Sequence, residues 1–166
     1  KIATISCGYF KVDDCNSGYG KILVNGTSSE AALWSIAIYS SSNKTYNILE
    51  RERTSGYKYD NQDCGYVCSN HSGTSYDMGF YNDISDNGSI FKFIKVDKVP
   101  FDLSADPTSS SCKKYFMTLR DTYCGGGTGD DSGKNLVSSY DITNPNFVWA
   151  FGGDYTNGIT IYNIGL

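Results

Sequence analysis

The chain has 166 residues with a formal net charge of −4, 39% hydrophobic, 14% aromatic and 19% charged residues. This length suits one domain spanning residues 1–166, and the aromatic content supplies apolar surface for a core, which argues against disorder. No apolar run is long enough to span a membrane as a helix, and an acidic chain with scattered Lys and Arg is a poor fit to nucleic acid or anionic lipid.

The predicted elements, in chain order, are short alternating or β-branched runs broken by Gly, Asn, Asp and Ser. They cover 7–12, 21–25, 32–39, 45–50, 56–60 and 76–81, then 89–96, 99–103, 115–119, 136–140, 147–151 and 158–164. Trp34, Ile36 and Ile38 alternate ahead of the turn Ser40-Ser41-Ser42-Asn43, which reads as a hairpin. Asn87-Gly88 and Asn157-Gly158 are read as type I′ hairpin turns. Trp34 and Trp149 lie inside such runs and are expected in the core.

About twelve short strands make an all-β chain. Three hairpin-like stretches resemble one another: Leu33-Trp34 to Ile48, Gly79-Phe80-Tyr81 to Ile94, and Val148-Trp149 to Ile164. Such repetition points to a β-trefoil; a β-sandwich or jelly roll and an up-and-down barrel are the alternatives.

Six Cys, at 7, 15, 64, 68, 112 and 124, read as disulfides of an oxidising compartment. Nearest neighbours give Cys7–Cys15, Cys64–Cys68 and Cys112–Cys124, although sequence alone leaves all pairings open. Sequons at Asn25, Asn43, Asn70 and Asn87 fall in turn-like stretches and fit a secreted glycoprotein. The chain opens at Lys1-Ile2-Ala3, so any signal peptide is expected to be already removed.

Catalytic options are narrow. His71 is the sole imidazole, and the only Glu residues are Glu30, Glu50 and Glu52. A Ser-His-Asp site would have to use His71, which lies in a polar loop, and a zinc site with two His cannot be built. The run Gly125–Lys134 is not a phosphate loop, because Thr128 stands where a glycine is required and Asn135 replaces the Ser or Thr. Asp83–Gly88 opens like a calcium loop, but Ile94 occupies the place of the closing acid. No cofactor or metal is expected, and the chain is read as non-enzymatic.

The stretch Ser55–Tyr66 is the candidate ligand site. Tyr57, Tyr59 and Tyr66 offer rings for sugar faces, while Asp60, Asn61 and Asp63 offer planar hydrogen-bonding groups. Asp154-Tyr155-Thr156-Asn157 is a second candidate. The leading expectation is an extracellular, lectin-like carbohydrate binder. An extracellular self-associating structural subunit comes next, and a secreted protease inhibitor or effector acting on another protein third.

Overall fold

A computed structural model of the chain describes residues 8–14, 21–51, 58–59, 62–63, 66–69, 78–81, 83–96, 101–119, 122–126, 136–139 and 142–165. The strands are β1 (Tyr9–Asp14), β2 (Lys21–Gly26), β3 (Trp34–Ser40), β4 (Thr45–Glu50), β5 (Lys58–Tyr59), β6 (Gln62–Asp63) and β7 (Tyr66–Ser69). They continue as β8 (Met78–Tyr81), β9 (Phe91–Lys95), β10 (Tyr115–Leu119), β11 (Thr122–Gly126), β12 (Leu136–Ser139), β13 (Val148–Asp154) and β14 (Gly158–Asn163). All strands except β5 and β6 join one twelve-stranded sheet through antiparallel pairings, and β5 and β6 pair with each other. Among the described residues no α-helix occurs, only short 3-10 turns such as Asn87–Ser89 and Pro145–Phe147. The chain is all-β, as its alternation predicts.

Six strands close into a ring: β3 pairs β4, β4 pairs β9, β9 pairs β10, β10 pairs β13, β13 pairs β14, and β14 returns to β3. Three further hairpins, β1–β2, β7–β8 and β11–β12, hang from β14, β4 and β10. Each of these relations therefore occurs three times along the chain. The register repeats with it. Tyr46 faces Phe91, Tyr115 faces Trp149 and Ile159 faces Trp34 across the three joints between ring hairpins. Leu49–Tyr66, Thr118–Tyr123 and Tyr162–Tyr9 are the matching pairs where the outer hairpins attach.

The core lies inside this ring. Side chains on a strand alternate between faces, so the in-pointing set of each ring hairpin recurs at equivalent places. Trp34, Phe91 and Trp149 form one such set, and Ile48, Met117 and Ile161 another; all six are fully buried. Phe10 stands between the two indoles, 5.8 Å from Trp34 and 5.4 Å from Trp149 in edge-on contacts. Both Trp residues are thus core, as their alternating strands imply.

Several expectations change. The outer hairpin strand β8 carries Gly79-Phe80-Tyr81, so the middle repeat is β9–β10 rather than a hairpin starting at Gly79. Residues 96–114 separate β9 from β10, and this long insertion conceals the hairpin in the sequence. The expected strand over 99–103 is not seen in its described part: Phe101 and Leu103 pack on the core as loop residues, and Ser104 makes only an isolated bridge to Gly152. That loop is tied down by the Asp102 N–H donating to the Tyr115 hydroxyl (2.7 Å) and the Ser104 N–H donating to Phe151 O (3.1 Å).

Asn87-Gly88 is a 3-10 turn, not a hairpin turn. Asp86 caps it by accepting from the Gly88 N–H at 2.7 Å, and the flanking strands β8 and β9 pair with other partners. The β13–β14 turn is a hairpin, but its loop is Tyr155–Asn157 with Gly158 at φ 122°, a three-residue connection rather than type I′.

Strands β7 and β11 lie outside the runs expected from the sequence. In β11 the glycines are a packing requirement. A Cβ on Gly125 would meet the Phe147 ring at 2.7 Å.

Among the described residues no disulfide is formed. Cys112 and Cys124 are not bridged to each other; Cys112 lies in the turn before β10, and Met117 is the residue opposite Cys124. Cys124 is buried in the core, and burial pushes its thiol up to about 12; burial is also the main cause raising Cys112. The Cys68 Sγ donates to Asp86 Oδ1 at 3.7 Å. Cys7, Cys15 and Cys64 lie outside the described residues.

Candidate functional site

The three ring hairpins β3–β4, β9–β10 and β13–β14 turn at the same end of the ring, because neighbouring ring strands run antiparallel. At this end a run of aromatic rings leaves the core and reaches the surface. Tyr46 stacks on Phe93 with centroids 5.3 Å apart, and Phe93 stacks on Phe101 at 5.5 Å. Beneath them Phe151 meets Phe93, Phe101 and Tyr115 edge-on or nearly so, at 5.0, 5.3 and 5.6 Å. Offset and edge-to-face contacts of this kind fix ring positions and add to simple area burial. Tyr46, Phe93 and Phe101 are half-buried, and Ile38, opposite Tyr46, is 68% exposed.

Tyr155 belongs to the same surface. It occupies the tip of the β13–β14 hairpin and is 66% exposed. The tip around it is rigidly built. Asp154 Oδ1 accepts from the Thr156 N–H (2.8 Å) and the Asn157 N–H (2.7 Å), while Oδ2 accepts from Asn157 Nδ2 (2.9 Å). These bonds, Asn157 first, together with nearby Arg51, hold the Asp154 carboxyl below its usual range. The Arg51 guanidinium donates to Tyr155 O at 3.4 Å and to Thr156 O, clamping the tip from β4's far end. Gly158 makes this possible: a Cβ there would collide with Leu33 and press on the Arg51 stem.

Burial, then the proximity of Tyr46 and Asp102, raises the Tyr155 phenol above its ordinary value. Asp102 completes the rim, with its carboxylate 3.5 Å from Lys113 Nζ. The arrangement offers exposed aromatic faces, neutral hydroxyls and one partly exposed carboxylate on a preformed surface. Among the described residues no cluster of three His, Cys, Asp or Glu is placed to hold a metal, and no helix is long and apolar enough to cross a membrane.

The first sequence candidate is largely unaddressed. Tyr57, Asp60 and Asn61 lie outside the described residues. Tyr59 and Asp63 belong to the small β5–β6 pair, facing Gln62 and Lys58. Tyr66 is half-buried in β7 between Leu49 and Tyr81, a structural position in the sheet. The second candidate, Asp154–Asn157, is fully described and is joined by Tyr46, Phe93, Phe101, Asp102, Lys113 and Arg51, none of which the sequence marks.

Of the sequons, Asn43 and Asn87 are exposed, whereas Asn25 is half-buried with its Oδ1 enclosed. Asn70 and His71 lie outside the described residues. In the calcium-like stretch, Asp83 Oδ1 is occupied by the Ser85 N–H and hydroxyl at 2.8 and 2.7 Å, as in a turn.

Comparison with protein-family models gives no match, and no curated protein matches the chain.

Proposed function

We propose that this protein is a secreted, non-enzymatic β-trefoil that binds glycans through the Tyr155 tip and the aromatic surface beside it. The trefoil reading is supported by the threefold recurrence of the ring pairings and of the outer-hairpin attachments, with the β2–β8 pairing standing outside that pattern. It is further supported by Tyr9, Tyr66 and Tyr123, equivalent in register and each 57 residues from the next. Cys7-Gly8-Tyr9 and Cys64-Gly65-Tyr66 carry the same spacing into the neighbouring residues.

The observation that carries the binding reading is Tyr155 itself. A large ring held 66% exposed on a clamped turn loses little conformational entropy on binding. Its face can stack on the C–H face of a pyranose, and Tyr46 and Asp102 add a hydroxyl and an acceptor within reach. The experiment is a broad glycan array with wild type and Tyr155→Ala. Binding by the wild type that Tyr155→Ala weakens supports the reading; a blank array from folded protein refutes it.

A second reading, self-association, has its own observation. Ile94 in β9 and Val96 just past its end are 41% and 45% exposed, and Phe116 faces Ile94 across the β9–β10 pair. Light scattering at rising concentration tests it, and a strictly monomeric protein rejects it.

A further inference from the structure

We infer that two copies of this chain join through the outer edge of β12, in an antiparallel pairing about a two-fold axis that sets Leu136 of one copy opposite Leu136 of the other. This rests on the self-association reading above and names the surface that carries it.

One pairing breaks the threefold pattern. The outer hairpins β1–β2, β7–β8 and β11–β12 are equivalent, so their second strands β2, β8 and β12 are equivalent too. Two of these satisfy each other: β2 pairs β8 antiparallel, with Ile22 opposite Met78. An odd number of equivalent edges cannot all pair within one chain. The edge left over belongs to β12, which ends the path of paired strands and, among the described residues, pairs only with β11.

The positions match residue by residue. Val12, Ser69 and Gly126 stand equally far along from the equivalent Tyr9, Tyr66 and Tyr123, and they face Ile22, Met78 and Leu136. Ile22 and Met78 thus hold the same place in two repeats, and Leu136 holds it in the third. The β2–β8 contact is therefore a position meeting its own equivalent across antiparallel strands, a pseudo-two-fold pairing inside the chain. A second copy gives Leu136 the mate that Ile22 and Met78 give each other. Such a contact is isologous and closes as a dimer.

The edge is suited to meeting itself. Exposed edges are usually blunted by Lys, Pro or a bulge. Leu136-Val137-Ser138-Ser139 has neither charge nor Pro, and its register with β11 runs without a shift, whereas the β1–β2 register is interrupted. Like charges directly opposite disfavour a self-pairing, and this strand brings none. The sheet behind the edge adds apolar contact. Phe116 faces the exposed Ile94, its ring meets Tyr123 edge-on at 5.6 Å, and Tyr123 faces Ser139 in β12.

A short edge pairing belongs to the weak class of interfaces, so the test takes reduced wild type from about 1 µM to 1 mM in sedimentation velocity. Hydrogen exchange is read at both ends of that range. A dimer should grow with concentration, and the 136–139 amides should exchange at least about threefold more slowly at the high end. Leu136→Cys sets two thiols at the axis, where opposed Cα atoms lie about 4.5–5.5 Å apart, within disulfide reach. Mild oxidation should then give covalent dimer above the wild-type level, and Asn43→Cys in the β3–β4 turn should not. Slowed 136–139 exchange without a cross-link from folded Leu136→Cys would overturn the Leu136 register. A dimer whose 136–139 amides exchange as in the monomer, with slowing at 92–96 instead, would overturn the edge while leaving self-association standing. A protein monomeric throughout removes both. The wild-type exchange decides even where Leu136→Cys fails to fold.

Discussion

Trp34 and Trp149 occupy equivalent places in two ring hairpins, and both are fully buried. Their indole N–H groups differ. Trp149 Nε1 donates to Cys124 O at 2.9 Å, whereas Trp34 Nε1 is enclosed with no acceptor among the described residues. Replacing each by Phe removes a similar ring volume, so the cavity cost largely cancels in the comparison. At Trp149 the change also deletes a buried hydrogen bond, worth about 1 kcal/mol net. At Trp34 it removes a buried unsatisfied donor, relieving about 1–3 kcal/mol. Trp149→Phe should therefore be about 2–4 kcal/mol less stable than Trp34→Phe. For a domain of this size that is roughly 4–16 °C in Tm. Urea unfolding at matched m-values measures it, and each variant keeps one Trp as the fluorescent reporter. Equal destabilisation, or a larger loss at Trp34, would refute the assignment of an orphan indole there.

Three other outcomes follow from particular residues. Gly125→Ala places a methyl 2.7 Å from the buried Phe147 ring, and such overpacking should cost about 1–3 kcal/mol, read as a lower Tm; an unchanged Tm would show that β11 can shift. Glu30 is held down from 4.5 to about 2, first by the Thr27 N–H and then by Lys11, so its stabilisation is complete above the unfolded value and is lost as pH falls toward 2. Glu30→Gln should flatten the acid limb of a stability–pH curve between about pH 5 and 2, and an unaltered slope would contradict this. Expressed through a eukaryotic secretory route, the protein should carry glycan at the exposed Asn43 and Asn87 and less at the half-buried Asn25; peptide mass spectrometry decides, and higher occupancy at Asn25 than at the other two would contradict this order.

What the sequence made legible is what local alternation and turn chemistry determine. Trp34, Ile36 and Ile38 leading to Ser40–Asn43, and Val148–Phe151 leading to Asn157-Gly158, identify two ring hairpins because each has a short turn between clear runs. The third, β9–β10, was hidden because its strands are separated by residues 96–114, and no local signal says that Phe91 and Leu119 face each other. Strands β7 and β11 were hidden for the opposite reason. Cys and Gly there suggest loops, yet Gly125 is small because Phe147 fills the space above it. The regular interval between Tyr9, Tyr66 and Tyr123 was present in the sequence all along, and a search for fixed-period repeats would have exposed both strands.

The site divides along the same line. Tyr155 was legible because an Asp-Tyr-Thr-Asn turn between two alternating runs must place its tip at the surface. Its neighbours were not, because they are assembled by long-range closure. Phe101 and Asp102 reach the mouth of the ring only after the 96–114 connection folds back and is held by Tyr115 and Phe151. Arg51 carries no mark in the sequence, but ring closure brings β4's end beneath the β13–β14 tip. The exposed ring is thus a local feature, and the rigidity that would make it a binding surface is a product of the closed ring. A variant that loosens the clamp, such as Arg51→Ala, should weaken glycan binding while leaving every group that touches the sugar in the sequence.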